Sequence, residues 1–404
     1  MARLSLLLAA LSAVAADWPR FRGPNGAGVT DSIPLKWSPT ENVRWAVDLP
    51  GKGNGSPIIA GGRVYIQASA GDGSKRMLLA LDAATGKTVW SVTQPGQPAK
   101  VHAKSSLASH TPACDGERVY CCVWDGDAVA VHAYDLAGKE VWSQSLGSFA
   151  SQHGAGMSPV AHAGKVFVNF DQDGAAEVVA FDARTGAKAW GAPRKAYRAC
   201  YSTPVVRELP GGKSELIVLS TAGVTGYDPD TGKPNWNWTI PWKGGEMALR
   251  SVASPLLVGD MVVALTGDGS GARYCAGVKA GGRSPEWEYR SNQDAPYVPC
   301  PVAKGDHLYW VTDRGIVQCL AVKTGKVVWD ERAFSTGVSA SPLLARDVFL
   351  AIDERGRAVA CKASPDGFEK LAANDLREPV FATPAAADGH LYVRTAGKLY
   401  CFGK

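Results

Sequence analysis

DAATGKTVW at 82–90 decides the architecture of this chain because it recurs, as DLAGKEVW at 135–142, DARTGAKAW at 182–190, DPDTGKPNW at 228–236 and KTGKVVW at 323–329. A second phrase recurs upstream of it: GSPIIAGGRVY at 55–65, HTPACDGERVY at 110–120, MSPVAHAGKVF at 157–167, SASPLLARDVF at 339–349 and FATPAAADGHLY at 381–392. Self-similarity at a period of about 40–50 residues marks a repeat architecture. The second phrase places prolines at Pro57, Pro112, Pro159, Pro204, Pro255, Pro301, Pro342 and Pro384. The first ends on an aromatic: Trp45, Trp90, Trp142, Trp190, Trp236, Trp287, Trp329 and Phe368. The two series are out of phase, since Trp45 precedes the first proline and Pro384 has no aromatic after it. The segment around Trp45 is therefore expected to complete the sheet that the C-terminal unit begins, closing a ring. The expected fold is all-β, an eight-bladed β-propeller of four-stranded antiparallel blades.

Each unit reads as strand a after the proline, strand b through a GRVYIQ-type run, strand c ending at LLALD, and strand d through TVW. Alternation of β-branched or aromatic residues with small or polar ones supports strands. In the c–d turn, Asp-x-x-Thr-Gly, the carboxylate is expected to accept backbone N–H groups while glycine takes positive φ. The 404 residues include 45 Gly and 25 Pro with 46% hydrophobic content, which suits one turn-rich domain with a large core. A net charge of +5 with no basic run makes no case for nucleic acid.

Residues 1–16 read as a cleavable signal peptide: Arg3, an apolar stretch Leu4–Leu11, and Val14-Ala15-Ala16 before Asp17. Residues 17–42 form an N-terminal extension and 43–404 the propeller. No second apolar segment is long enough to span a bilayer, and no cysteine follows the cleavage site for a lipid anchor. A periplasmic or secreted monomer is expected. Of nine cysteines, Cys275, Cys319, Cys361 and Cys401 align with Ala80, Ala133, Ala180 and Gly226 at one small-residue position of strand c. They act there as small buried hydrophobes. Cys121-Cys122 lies in strand b, where alternation sends the two thiols to opposite faces. Neither Cys-x-x-Cys-His nor a zinc spacing occurs.

In an antiparallel four-stranded blade the d–a connections and the b–c hairpins share one face. The least repetitive connections lie at 101–110, 149–156, 194–202 and 243–251. Atypical loops on one face of a repeat protein are often its binding face. His110, His153, Arg198, Tyr201, Arg250 and Tyr297 are therefore the expected lining of a ligand-binding funnel, where Arg and Tyr suit an anionic ligand or a protein hot spot. Asp171 and Asp173 alternate as in a calcium loop but lack its later glutamate, and an Asp-capped b–c turn explains them as well.

The Ala-x-Asp-x-x-Thr-Gly-Lys-x-x-Trp unit, held by Ala80, Asp82, Thr85, Gly86, Lys87 and Trp90, resembles the docking motif of the PQQ-repeat β-propellers. That family includes BamB-like assembly factors and quinoprotein alcohol dehydrogenases, and WPRFRGPNGAGV at 18–29 is similar to the start of exported members from planctomycete-like bacteria. The resemblance implies that Trp45, Trp90, Trp142, Trp190, Trp236, Trp287 and Trp329 dock one blade on the next. Its enzymatic branch implies PQQ with Ca²⁺, held by Glu, Asn and Asp, with a Trp beneath the quinone and a vicinal disulfide above. Cys121-Cys122 resembles that disulfide in type, and Trp124 and Trp310 are candidate floor residues, but no segment matches the calcium ligands or the catalytic Asp. Three functions stay open: a BamB-like scaffold binding an envelope or secreted protein, with no cofactor; a small-ligand or carbohydrate receptor; and a PQQ-dependent oxidoreductase. Fold does not choose among them.

Overall fold

The structure, a computed structural model, describes residues 17–244 and 247–403; the expected signal peptide, 1–16, lies outside the described residues. Eight four-stranded antiparallel sheets form a ring. Blade 1 consists of Ile58–Ala60, Arg63–Ser69, Lys75–Asp82 and Thr88–Pro95 as strands a to d. Blades 2 to 7 begin at a strands Ala113–Cys114, Val160–His162, Val205–Leu209, Leu256–Val258, Val302–Lys304 and Leu343–Ala345. Blade 8 is built from both parts of the chain: Ala385–Ala387, His390–Arg394 and Lys398–Phe402 supply a to c, and Val43–Asp48 supplies d. Ala46 pairs with Tyr400 and Asp48 with Lys398, the closure expected from the phase of the repeat. The a strands of blades 8 and 1 contact each other along the channel, and the d strands lie outermost with exposed residues alternating along them.

Local chemistry explains why the c–d turn repeats. Asp82 Oδ1 accepts the Thr85 N–H at 2.8 Å and its O–H at 2.7 Å, and Asp182 does the same for Thr185 at 2.7 Å each. Gly86 and Gly186 follow with φ of +72° and +74°, where a side chain is disfavoured. Above each such glycine lies the tryptophan of the preceding blade. A Cβ on Gly86 would meet the Trp45 ring at 2.7 Å, one on Gly138 the Trp90 ring at 2.7 Å, and one on Gly186 the Trp142 ring at 2.6 Å. Each indole N–H then donates to a carbonyl of that turn: Trp45 to Ala83 at 2.9 Å, Trp90 to Leu136 at 2.9 Å, Trp142 to Ala183 at 3.0 Å. Trp190, Trp287 and Trp329 make equivalent bonds to Pro229, Val322 and Ser364. A bulge before the tryptophan aims it outward: Ala80 opposes Trp90 while Leu81 opposes Thr88, leaving Val89 as the extra residue, exposed to 45%. Trp236 departs from the pattern. Its indole nitrogen is buried without a partner, because blade 5 has Ala280–Pro285 in place of an Asp-x-x-Thr-Gly turn.

The small position of strand c exists because it faces this indole. Ala80, Ala133, Ala180, Gly226, Cys319 and Cys401 each oppose a docking tryptophan. Blade 5 shifts by two residues: Gly277, not Cys275, opposes Trp287, and a Cβ there would sit 2.3 Å from the indole nitrogen. All nine cysteines are free and buried. Cys121 joins the apolar cluster between blades 1 and 2, and Cys122 the one between blades 2 and 3.

The extension does something the repeat pattern does not encode: it stops the channel. Trp18 exchanges backbone bonds with Ile59 of blade 1, and the Pro19 carbonyl accepts from Cys114 of blade 2. Asn25 exchanges bonds with Val206 of blade 4 at 2.6 and 2.8 Å, and Arg20 donates to the Pro204 carbonyl. Arg22 reaches the Cys300 and Pro301 carbonyls of blade 6 at 3.2 and 2.5 Å. Val29–Thr30 then adds as a parallel strand to Leu343–Ala345 of blade 7. One segment thus bonds to the inner strands or their lead-ins in five blades. It begins and ends on the face of the a–b turns, where Asp17 accepts the Gly61 N–H and Ser32 sits beside Gly389.

Candidate functional site

The inner ends of the blades are tied together by the Ser/Thr-Pro phrase. The N–H of Ser56 donates to Thr111 Oγ1 of the next blade at 3.0 Å, and that of Thr111 to Ser158 Oγ at 3.0 Å. The belt continues from Thr203 to Ser254, Ser254 to the Cys300 thiol, Cys300 to Ser341, and Ser341 to Thr383, at 2.9–3.1 Å. The proline that follows gives up its own N–H, and the residue before it is held extended. This is why a small hydroxyl or thiol precedes each proline, a signal present in the sequence whose purpose only the ring reveals.

A cavity of ≈ 780 Å³ opens above this belt on the face of the d–a connections and b–c hairpins. Hydroxyls of the belt form its inner wall, and Phe21 of the channel stopper lines it from below. Its side wall carries His102, Lys104, Gln152, His153, Arg198 and Tyr201 from the connections into blades 2, 3 and 4. Asp268, Arg273, Tyr297, Asp313 and Arg314 come from blades 5 and 6.

Four of the six residues expected in a funnel, His153, Arg198, Tyr201 and Tyr297, line this cavity together. Arg250 lies just behind them, only 2% exposed. It donates to the Ala199 carbonyl at 3.2 Å and to Gln152 Oε1 at 3.5 Å, and approaches Asp173 at 3.7 Å. His110 does not line the cavity: it is buried among the blades, its Nε2 has no partner, and burial and Arg76 push it down to about 3. His102, on the connection at 101–110 that the sequence places on this face, joins the lining, and its ring meets His153 edge to face with centroids 5.0 Å apart. Sequence reasoning missed Lys104, which crosses the mouth to Glu354 of blade 7 at 2.6 Å. Both lie in the least repetitive connection, which was the available signal.

The wall is held by its own bonds. Tyr201 and Ser151 share a hydroxyl contact of 2.5 Å, and Ser151 accepts the His153 N–H at 3.1 Å. Burial first, then Arg250, His102 and Arg198, lower the His153 pKa against an opposing pull from Asp173. Asp313 Oδ2 accepts the Tyr297 N–H at 2.6 Å and faces Arg273 at 3.5 Å, yet burial outweighs both and raises its pKa. Neither the His102 nor the His153 ring bonds a carboxylate among the described residues.

Asp171 and Asp173 each have another task. Asp171, fully buried, pairs with Arg194 at 2.9 Å; Asp173 accepts the Ala199 N–H at 2.7 Å. Trp124 and Trp310 pack in inter-blade cores and neither lines the cavity. The calcium ion implied by the enzymatic branch meets few oxygen ligands of the kind it needs among the described residues of this cavity. Calcium takes six to eight oxygen ligands. The carboxylates lining the cavity are Asp268 and Asp313; Asp268 Oδ1 accepts the N–H and O–H of Ser270, and both Asp313 oxygens accept backbone N–H groups. Among the described residues no three His, Cys, Asp or Glu gather as a metal cluster.

Comparison with known proteins agrees with the architecture. The chain is 29% identical over 323 residues to the dehydrogenase subunit of the quinone-type alcohol dehydrogenase of Gluconobacter oxydans (strain 621H), covering 73% of this chain and 35% of that protein. It is 31% identical over 173 residues to quinohemoprotein alcohol dehydrogenase ADH IIB of Pseudomonas putida, covering 39% of this chain and 23% of that one. The chain thus spans about a third or less of the length of these curated relatives. Among solved structures, BamB from Moraxella catarrhalis superposes with a TM-score of 0.64 at 13% identity, over 89% of this chain and 96% of that one. The quinohemoprotein alcohol dehydrogenase from Comamonas testosteroni gives 0.68 at 16% identity, over 96% and 81%. At such identities the likeness shows the fold alone. A family model described as outer membrane protein assembly factor BamB matches residues 36–132 and 103–331. With its repeat, ring closure and docked tryptophans, the chain belongs to that PQQ-repeat family of β-propellers.

Proposed function

We propose that this chain is an exported interaction module, not an oxidoreductase, and that it receives its partner on the funnel face. The observation that carries the reading is the stopper: residues 18–30 bond to the inner strands or their lead-ins in five blades, and the cavity of ≈ 780 Å³ opens above them on the side of the d–a connections. The rim there exposes Met247 to 68% and Tyr197 to 44%, and the Ala248 carbonyl next to Met247 accepts from Arg198 at 3.4 Å. An exposed aromatic and a methionine beside an arginine are the composition of an interface anchor. Of the two carboxylates lining the cavity, Asp313 accepts backbone N–H groups with both oxygens and Asp268 holds Ser270 with one. The partner is an envelope or secreted protein, in keeping with the BamB description of the family.

Two measurements test this. Immobilised protein is used to capture partners from envelope extract, comparing wild type with Tyr197→Ser/Met247→Ser and with Val89→Ser/Val141→Ser on the outer circumference. The first pair should lose the captured protein and the second should keep it. Equal recovery by all three, or alcohol oxidation by wild type supplied with PQQ and Ca²⁺, would overturn the reading.

A further inference from the structure

The cavity wall carries more positive charge than the protein itself neutralises. Lys104 is paired with Glu354 and Arg273 with Asp313. Arg198 and Arg314 line the cavity with no carboxylate partner among the described residues, and Arg198 has only the Ala248 carbonyl. Behind that wall, Arg250 keeps an unpartnered Nε, and its nearest carboxylate, Asp173, already serves the Ala199 N–H. On the blade 8 side, Arg394 is fully buried, donates only to the Gly55 carbonyl at 2.8 Å, and leaves Nε and Nη2 without partners. It packs against Gly53, next to Asn54 and Ser56 of the cavity wall; a Cβ on Gly53 would meet Nη2 at 2.3 Å. A buried cation whose counter-charge is absent, as at Arg394, or distant, as at Arg250 with Asp173 at 3.7 Å, is costly, and an anion in the adjoining cavity lowers that cost.

The hydroxyl belt adds a second, independent observation. Ser56, Thr111, Ser158, Thr203, Ser341 and Thr383 all line the cavity. Where their oxygens are engaged they accept N–H groups, as Thr111, Ser158, Ser341 and Thr383 do. None of the six donates its own O–H to an acceptor among the described residues, so the inner wall is a ring of hydrogen-bond donors in search of one.

We propose that the funnel is a receptor site for an oxyanion, a carboxylate or phosphate group, held by Arg198, His102 and His153 over the hydroxyl belt, with Arg250 and Arg394 supplying the field. It rests on the funnel being the recognition face and names the chemistry recognised there. The volume of ≈ 780 Å³ falls within the range of small-ligand sites and also admits the tip of an acidic chain segment. The group comes either as a free small anion or as acidic side chains of a partner. Among the charged groups around His153, Arg250, His102 and Arg198 disfavour its protonation and only Asp173 favours it. An added anion tips that balance, so binding takes up a proton and weakens as pH rises.

Isothermal titration with citrate, inorganic phosphate and a hexaglutamate peptide tests the proposal, at low and high sodium chloride and in two buffers of different ionisation heat. Saturable binding of at least one probe is expected, with proton uptake. Arg198→Gln should weaken it about ten- to hundredfold, the worth of a charge-assisted hydrogen bond. His153→Gln should abolish the proton uptake, and Arg184→Gln, on the opposite face, should change nothing. The unliganded melting temperature of each variant shows that it is folded. Binding of citrate or phosphate identifies a free anion as the source; binding of hexaglutamate alone identifies an acidic partner segment. No saturable heat from any probe, or equal affinities in wild type and Arg198→Gln, overturns the proposal. Partner capture through Tyr197 and Met247 would survive that result, so the two readings fail separately.

Discussion

Gly186→Ala and Gly164→Ala form a matched pair that isolates the docking of one blade on the next. Both glycines have nearly the same backbone, φ of +74° and +73°. A Cβ at Gly164 meets nothing within 4 Å, whereas one at Gly186 lands 2.6, 2.7 and 2.9 Å from three atoms of the Trp142 ring. Alanine at positive φ costs about 1–2 kcal/mol from the backbone alone, which is the whole expected effect at Gly164. At Gly186 the ring must also move, and forcing extra volume into a packed contact adds about 1–3 kcal/mol. The shift also threatens the indole bond to Ala183, 3.0 Å in the native protein. Urea unfolding at equilibrium, followed by tryptophan fluorescence and circular dichroism, should place Gly186→Ala below Gly164→Ala by about 1–3 kcal/mol. Equal midpoints with equal slopes would refute the claim that the ring seats on the turn glycine.

Trp142→Ala should cost about 3–5 kcal/mol in the same assay. Trp236→Ala should cost about 1 kcal/mol less or better, since its indole nitrogen has no acceptor to lose. His110, held down to about 3 by burial, is neutral in the fold and takes up its proton only on unfolding once pH falls below its ordinary value. Its contribution is therefore complete above about pH 6.5 and drains away towards pH 3 at about 1.4 kcal/mol per unit; urea midpoints at several pH values should show that slope flattened in His110→Gln. Arg22→Gln strips the Cys300 and Pro301 carbonyls of their guanidinium and should lower stability by about 2 kcal/mol or more, and a loss under about 0.5 kcal/mol would mean that the stopper is not anchored there.

Much of the ring was legible because each blade solves the same packing problem with the same residues. The offset between the proline and aromatic series announced that Val43–Asp48 would pair with Lys398–Phe402. The carboxylate of Asp82 and the positive φ of Gly86 followed from turn chemistry that is local in sequence. The candidate site was legible only in part. Chain connectivity told which loops share a face, which brought His153, Arg198, Tyr201 and Tyr297 together. It could not tell which side of a connection meets the cavity, and so His110 and Arg250 were expected in a lining from which burial removes them.

By itself the sequence determined the number of blades and the closure, because those depend on contacts between adjacent repeats and are written once per unit. Tertiary structure alone decided that residues 18–30 would bond along the inner strands of the ring and that Arg250 and Arg394 would lie buried beside one cavity, Arg394 with no carboxylate partner among the described residues and Arg250 with Asp173 no nearer than 3.7 Å. Those arrangements join residues hundreds of positions apart through a single occurrence each. Where nothing repeats, there is no period to read, and only the space left at the centre of the ring selects what occupies it.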